Sequence, residues 1–150
     1  MILSTENGAL RERVGERRAI EILAKAGFNA IDYTFTPWME RGEMPWNGSG
    51  YAAYAKEVNA MAADNGIYFN QAHAPFIFHT SYLPDWNHEI LPLQIRCMEA
   101  CALLGIPHMV VHPIHHLPYN WQGKAGKSNA DMIWELNREY YHLLQPYAKQ

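Results

Sequence analysis

Apolar residues recur along this chain with a helical spacing, three times over. They fall at Ala19, Ile20, Leu23 and Ala26; at Tyr51, Tyr54, Ala55, Val58, Met61 and Ala62; and at Leu91, Ile95, Met98, Cys101 and Ala102. Steps of three and four place each set on one face of a helix. A glycine follows each stripe, at Gly27, Gly66 and Gly105, and a short strand-like run follows each glycine: Gly27 to Phe35, Gly66 to Pro75 and Gly105 to Pro113. Glycine just past the last helical turn is the expected left-handed cap. The three glycines stand 39 residues apart, twice over, so the chain repeats one supersecondary unit.

Helix, glycine, strand, long loop, helix implies a parallel sheet. Met1 to Thr5 reads as the first strand. Ser128-Asn-Ala-Asp131 resembles a capping box that opens a fourth helix, with Ile133, Leu136, Tyr140, Leu143, Leu144 and Tyr147 on its inner face. An open doubly wound sheet would carry a Gly-rich phosphate turn after its first strand, and Gly8 alone is a poor candidate. The expected fold is therefore α/β, a (βα)4 half of a TIM (β/α)8 barrel. It is read as a single domain over 1–150, the N-terminal half of such a barrel, truncated before a fifth strand. Open sheet edges predict self-association of the chain.

Loop lengths point to one end of that sheet. Strand-to-helix segments run to roughly a dozen residues or more, and loops of that length in compact βα proteins are usually functional. They carry Trp38, Trp46, Trp86 and Trp121, with Phe76, Phe78, Tyr82 and Tyr119. All should gather at the C-terminal face of the strands, where barrel active sites sit. Aromatic walls suit the apolar faces of a sugar ring.

Four of the eight histidines fall in Gly105-Ile-Pro-His-Met-Val-Val-His-Pro-Ile-His-His116. Pro107 and Pro113 bracket a β-branched run that reads as a buried strand. Residues four apart on a strand lie ~13 Å from one another, so His108 and His112 cannot share a metal. The better partner is His73, one repeat earlier: strand neighbours are ~4.8 Å apart, close enough for two imidazoles to meet one ion or one substrate. Gln71 shares the face of His73, and Asp32 and Thr34 occupy the matching face of the preceding strand. His115 and His116 belong to the loop beyond. His108 begins its strand at the wrong end, His142 is a helix-surface residue, and His79 and His88 have no evident partners.

Composition narrows the classes. Net charge is -3 with a pI of about 6.2, which disfavours a general polyanion binder. Cys97 and Cys101 lie four apart in an apolar-periodic segment and read as reduced core thiols of a cytoplasmic protein, since a disulfide at that helical spacing is geometrically poor. No apolar run approaches the ~18 residues of a membrane span, and the first residues lack a signal-peptide core. Gly123-Lys-Ala-Gly-Lys-Ser128 ends like a phosphate loop, but Trp121 stands where its first glycine belongs.

With these residues identified, the chain resembles the sugar phosphate isomerase/epimerase superfamily, the xylose isomerase-like barrels that include the AP-endonuclease-type fold. The likeness rests on Ala24-Lys-Ala-Gly-Phe-Asn-Ala-Ile-Asp32, Gln71-Ala-His-Ala-Pro75, Leu104-Gly-Ile-Pro107 and Val110-Val-His-Pro113, and on a last helix from Asn137 to Tyr147. It implies a metal-dependent isomerase or epimerase of a sugar, sugar phosphate or related polyol. Carboxylates would move a proton through an enediolate while a divalent ion (Mn, Mg, Co or Zn) polarises the carbonyl. Most metal ligands and the main acid/base groups are expected beyond residue 150, which makes this stretch inactive alone. His73 and His112 match metal-binding histidines of the endonuclease branch and are expected to ligate metal or substrate. Asp32, Trp38, Gln71, Phe76, His115 and Tyr119 are expected to line the sugar. The alternatives are a zinc-dependent AP-endonuclease-like phosphodiesterase and a non-catalytic sugar-binding barrel. The first needs cations at the mouth, where Arg41, Lys124 and Lys127 face Glu40, Glu43 and Asp85, so nucleic acid is not the expected partner.

Overall fold

The structure, a computed structural model, describes residues 1–35, 45–76, 91–115 and 126–148. Its elements run β1 (Ser4–Glu6), α1 (Gly8–Val14), α2 (Glu16–Lys25), β2 (Ala30–Thr34), α3 (Tyr51–Asp64), β3 (Tyr68–His73), α4 (Leu91–Leu104), β4 (Met109–Val110) and α5 (Asn129–Leu144). The four strands form one sheet in the order β1-β2-β3-β4, and every neighbouring pair is parallel. Four parallel strands alternating with helices are the architecture of half a (β/α)8 barrel, as the repeat requires. The chain divides into two compact units, 1–75 with 96–111 and 76–95 with 112–150.

In the first unit, β2 alternates as a half-covered strand should. Ile31, Tyr33 and Phe35 are fully buried on one face, while Asp32 and Thr34 are half-buried on the other. The buried face packs with Ala19, Ile20 and Leu23 of α2 and with Ala55, Val58 and Ala62 of α3 as the core. Gly27, Gly66 and Gly105 all adopt positive φ, as the helix-cap reading requires.

Four expectations need correction. A separate helix, α1, follows β1 at once, where a long loop was expected; Gly15, at φ 81°, ends it and turns the chain into α2. The inward face of α4 is Gln94, Cys97, Ala100, Cys101 and Leu104, with Ala102 exposed. The helix is apolar nearly all round, so spacing alone could not choose its face. Met109 and Val110 are half-buried instead of buried. Trp46 is fully buried against Tyr33, Phe35 and Tyr54, with ring centroids 5.0–5.8 Å apart, and its indole N–H donates to the Tyr33 hydroxyl at 3.1 Å. It is core on the helix side of the sheet, not an aromatic wall at the strand ends. Trp38, Trp86, Trp121, Phe78, Tyr82 and Tyr119 lie outside the described residues, as do His79, His88 and His116.

In the second unit, α5 buries Met132, Leu136, Tyr140 and Leu144, while Tyr147 is exposed. Its capping box is present. The Ser128 hydroxyl accepts from the Asp131 N–H at 3.2 Å, and the Asp131 carboxylate accepts from the Ser128 N–H at 3.1 Å. Hydrogen bonds from Ser128 hold the Asp131 carboxyl below its ordinary value. Ser128→Ala should destabilise α5 by about 1 kcal/mol, measurable as a lower urea midpoint. Both cysteines are free and buried, and burial pushes the Cys101 thiol up to about 12. No described helix is long and apolar enough to cross a membrane.

Candidate functional site

The half-buried face of the sheet is polar, and its side chains engage one another. Register pairs Glu6 with Asp32, Asp32 with Gln71, and Thr34 with His73. Asp32 sits at the centre: Oδ2 accepts from Gln71 Nε2 at 2.7 Å and Oδ1 meets His73 Nδ1 at 2.8 Å. A carboxylate oxygen can only accept, so the His73 ring donates from Nδ1. Gln71 fixes the second oxygen and so the plane of the carboxylate. The Asp32 side chain is 15% exposed and that of His73 28%, so the pair is largely covered yet still reaches the surface of the sheet.

A register shift between Ile31 and Asp32 makes this possible. Ile31 pairs with Phe69 but Asp32 with Gln71, so Asn70 is an extra residue in β3. Bulges of this kind re-aim side chains next to functional sites. Here the consecutive residues Asn70 and Gln71 both serve the polar face, Asn70 accepting from the Ser4 hydroxyl at 2.8 Å. Glu6 completes the row. Its Oε2 accepts from the Gly8 N–H at 2.7 Å and from the Thr34 hydroxyl at 3.1 Å.

Behind the sheet, side chains stand in for a missing strand. β1 ends at Glu6, and the two backbone groups of Thr34 are satisfied from α1 and its cap: the N–H donates to Asn7 Oδ1 at 3.0 Å, and the carbonyl accepts from Arg11 at 2.6 Å. Arg11 and Asn7 are almost fully buried. Glu16 balances Arg11 at 3.7 Å and accepts from the Tyr33 and Tyr54 hydroxyls at 2.8 and 3.0 Å. Burial pushes the Glu16 carboxyl above its ordinary value, and Arg11, Tyr33 and Tyr54 pull against that. Burial also raises the Tyr33 hydroxyl, with the Glu16 charge adding to it.

The 39-residue repeat is the register between β2 and β3 at the site. It is not the register between β3 and β4, where His73 pairs with Val110; His112 lies two residues beyond that partner. In its own unit, His112 stacks on Phe76 at 4.1 Å between ring centroids and 23° between planes. Ile114 is buried, and Asn137 clamps its backbone, accepting from the N–H at 2.7 Å and donating to the carbonyl at 2.9 Å. Asn137 thus acts as a strand partner for the segment that carries His112 and His115. His115, His108 and His142 are exposed. Among the described residues no group of three or more His, Cys, Asp or Glu is placed to hold a metal ion. The period of two placed Asp32, Gln71 and His73 on one face, and the structure joins them there by hydrogen bonds. The sequence pattern missed Glu6, because the first strand was expected to end at Thr5, and Asn70, because a bulge breaks the period of two.

Solved structures share this half-barrel arrangement of parallel strands and helices. A D-psicose 3-epimerase determined with D-fructose matches 99% of this chain over 49% of its own, with a TM-score of 0.62 and 16% identity. The 3-keto-D-glucoside 4-epimerase from E. coli matches 98% over 53%, with a TM-score of 0.58 and 16% identity. A xylose isomerase domain protein from Alicyclobacillus acidocaldarius matches 99% over 47%, with a TM-score of 0.58 and 17% identity. The chain shares their fold and spans about half of their length. No family model matches the sequence, and no curated protein matches it.

Proposed function

We propose that this chain is the N-terminal half-barrel, a single domain, of an isomerase or epimerase acting on a sugar or related polyol. The observation that carries the reading is the Asp32–His73–Gln71 unit on two adjacent parallel strands, with His73 at the C-terminal end of β3, the end where barrel enzymes place their chemistry. The activities of the fold neighbours, on D-psicose and a 3-keto-D-glucoside, support the substrate class. Moving a proton next to a carbonyl requires groups that hold the enediolate oxygens and exchange protons with them. With Nδ1 committed to Asp32, His73 would act through Nε2, either on a substrate oxygen or on a metal ion.

A divalent metal would polarise the carbonyl and the adjacent hydroxyl. His73 has the surroundings of a metal-binding imidazole, whose other ring nitrogen is usually held by a carboxylate, and His112 is proposed as the second such donor. The proposal assigns the remaining donors and the main acid/base carboxylates to the second half of the barrel and takes the chain alone to be inactive, self-associating and cytoplasmic. Trp38, Phe76, His115 and Tyr119 are proposed to line the sugar. A phosphodiesterase is less well supported: Lys127 is ion-paired with Glu135, and Arg11 is buried against Glu16.

The test is solvent exchange in the whole barrel. Incubation with D-fructose in D2O should place deuterium on the carbon beside the carbonyl, seen by NMR, and His73→Ala should abolish it. Exchange that persists in His73→Ala overturns the assignment of this residue; its absence in the native protein overturns the reaction class for this sugar. In calorimetric titration with Mn2+ or Zn2+, His112→Ala should weaken binding about tenfold or more, by the usual scale for groups around a metal, and His108→Ala should leave it unchanged. Equal, negligible effects would remove His112 from the site.

A further inference from the structure

We infer that Glu6 is a substrate-binding residue of this same site and that it selects a neutral sugar hydroxyl over a phosphate. The inference rests on the sugar reading and deepens it. Glu6 is the last residue of β1, its Cα partner is Asp32, and its side chain bonds to Thr34, whose own Cα partner is His73. It therefore belongs to the row that carries Asp32 and His73, and it is exposed. Both of its hydrogen bonds, from the Gly8 N–H and the Thr34 hydroxyl, fall on Oε2. A carboxylate held by one oxygen is oriented without conformational cost, and its second oxygen can accept a substrate O–H.

The surroundings of Glu6 are built closely. A Cβ on Gly8 would lie 3.0 Å from Glu6 Oε2 and 3.2 Å from two carbons of Thr34, so a side chain at position 8 would push this carboxylate and the Thr34 side chain back by a few tenths of an ångström. Among the described residues of this row, Glu6, Asp32, Thr34, Gln71 and His73, none is a lysine or arginine. Arg11 donates to the Thr34 carbonyl and pairs with Glu16 on the other side of the sheet. Two carboxylates on adjacent strands attract hydroxyl donors and repel phosphate.

Calorimetric titration of the whole barrel, native or carrying Glu6→Gln or His73→Ala, with D-fructose and with its 1- and 6-phosphates tests this. The side-chain amide in Glu6→Gln retains an acceptor for the Gly8 N–H, so the start of α1 is preserved. The native barrel should bind D-fructose more tightly than either phosphate. Glu6→Gln should weaken D-fructose binding about tenfold, the scale of a hydrogen bond to a charged group, and should narrow the gap to the phosphates. Gly8→Ala, with the Glu6 carboxylate displaced, should weaken D-fructose binding in the same direction. Loss of binding in His73→Ala with none in Glu6→Gln overturns this inference and leaves the sugar reading standing, as does tighter binding of a phosphate by the native barrel. Failure of the whole native barrel to bind any of the three at millimolar concentration overturns both.

Discussion

Glu16→Ala should be among the most destabilising single changes in the first unit, about 3–5 kcal/mol, the usual cost of removing one partner of a buried ion pair. The loss would remove the carboxylate 3.7 Å from the Arg11 guanidinium, whose side chain has no exposure at all. It would also strip the Tyr33 and Tyr54 hydroxyls of their acceptor. Urea denaturation measures the effect as a fall in midpoint at constant slope. A double change, Arg11→Met with Glu16→Leu, should recover much of the loss, because apolar replacements of a buried pair are often neutral or better. If the double variant is as unstable as Glu16→Ala, Arg11 is needed for its bond to the Thr34 carbonyl and not for its charge.

The pH dependence has a definite sign. Burial raises the folded carboxyl of Glu16 above its ordinary value of 4.5. The folded chain therefore holds this proton to higher pH than the unfolded chain does. Between the ordinary value and the raised one, stability contributed by Glu16 is fully present at the acid end and falls as pH rises. Glu16→Gln removes this slope while retaining volume and one acceptor oxygen, so it should cost less than alanine. Stability curves of the two proteins across that window should converge on the acid side. A slope unchanged in Glu16→Gln would assign the dependence to other carboxyls.

These groups also mark what sequence patterning could and could not reveal. The stripe Ala19, Ile20 and Leu23 is legible because α2 is polar on its other face, so one register of the pattern fits. α4 offers no such contrast, and Gln94, a polar residue, is among its buried positions. α1 is not legible because the residue it buries is Arg11, held by a backbone carbonyl on β2 that no local pattern can announce. Asp32, Gln71 and His73 were legible because the repeat and the period of two both hold there. The same rule failed one residue earlier, at Asn70, where the bulge inserts a side chain on the same face. Local periodicity therefore identifies the elements, and non-local hydrogen bonding decides which polar residues join the site.

Asp32→Asn should weaken sugar or metal binding about 10–100-fold, the usual effect of altering a partner that orients a functional histidine, with only about 1 kcal/mol of stability lost. The reason lies in donors and acceptors. The native carboxylate accepts twice, from Gln71 Nε2 and from His73 Nδ1. Asparagine offers one acceptor and one donor. If its oxygen stays toward Gln71, its N–H2 faces His73, which must then accept at Nδ1 and move its proton to Nε2, inverting the nitrogen presented to the ligand. Nitrogen chemical shifts of the His73 ring report that inversion directly. Gln71→Glu on the Asp32→Asn background supplies an acceptor to the asparagine N–H2, turns its oxygen back to Nδ1, and should restore both tautomer and affinity. A structural role alone predicts no such rescue. An unchanged tautomer with unchanged binding in Asp32→Asn would make His73 independent of the carboxylate and would remove the observation on which the functional reading stands.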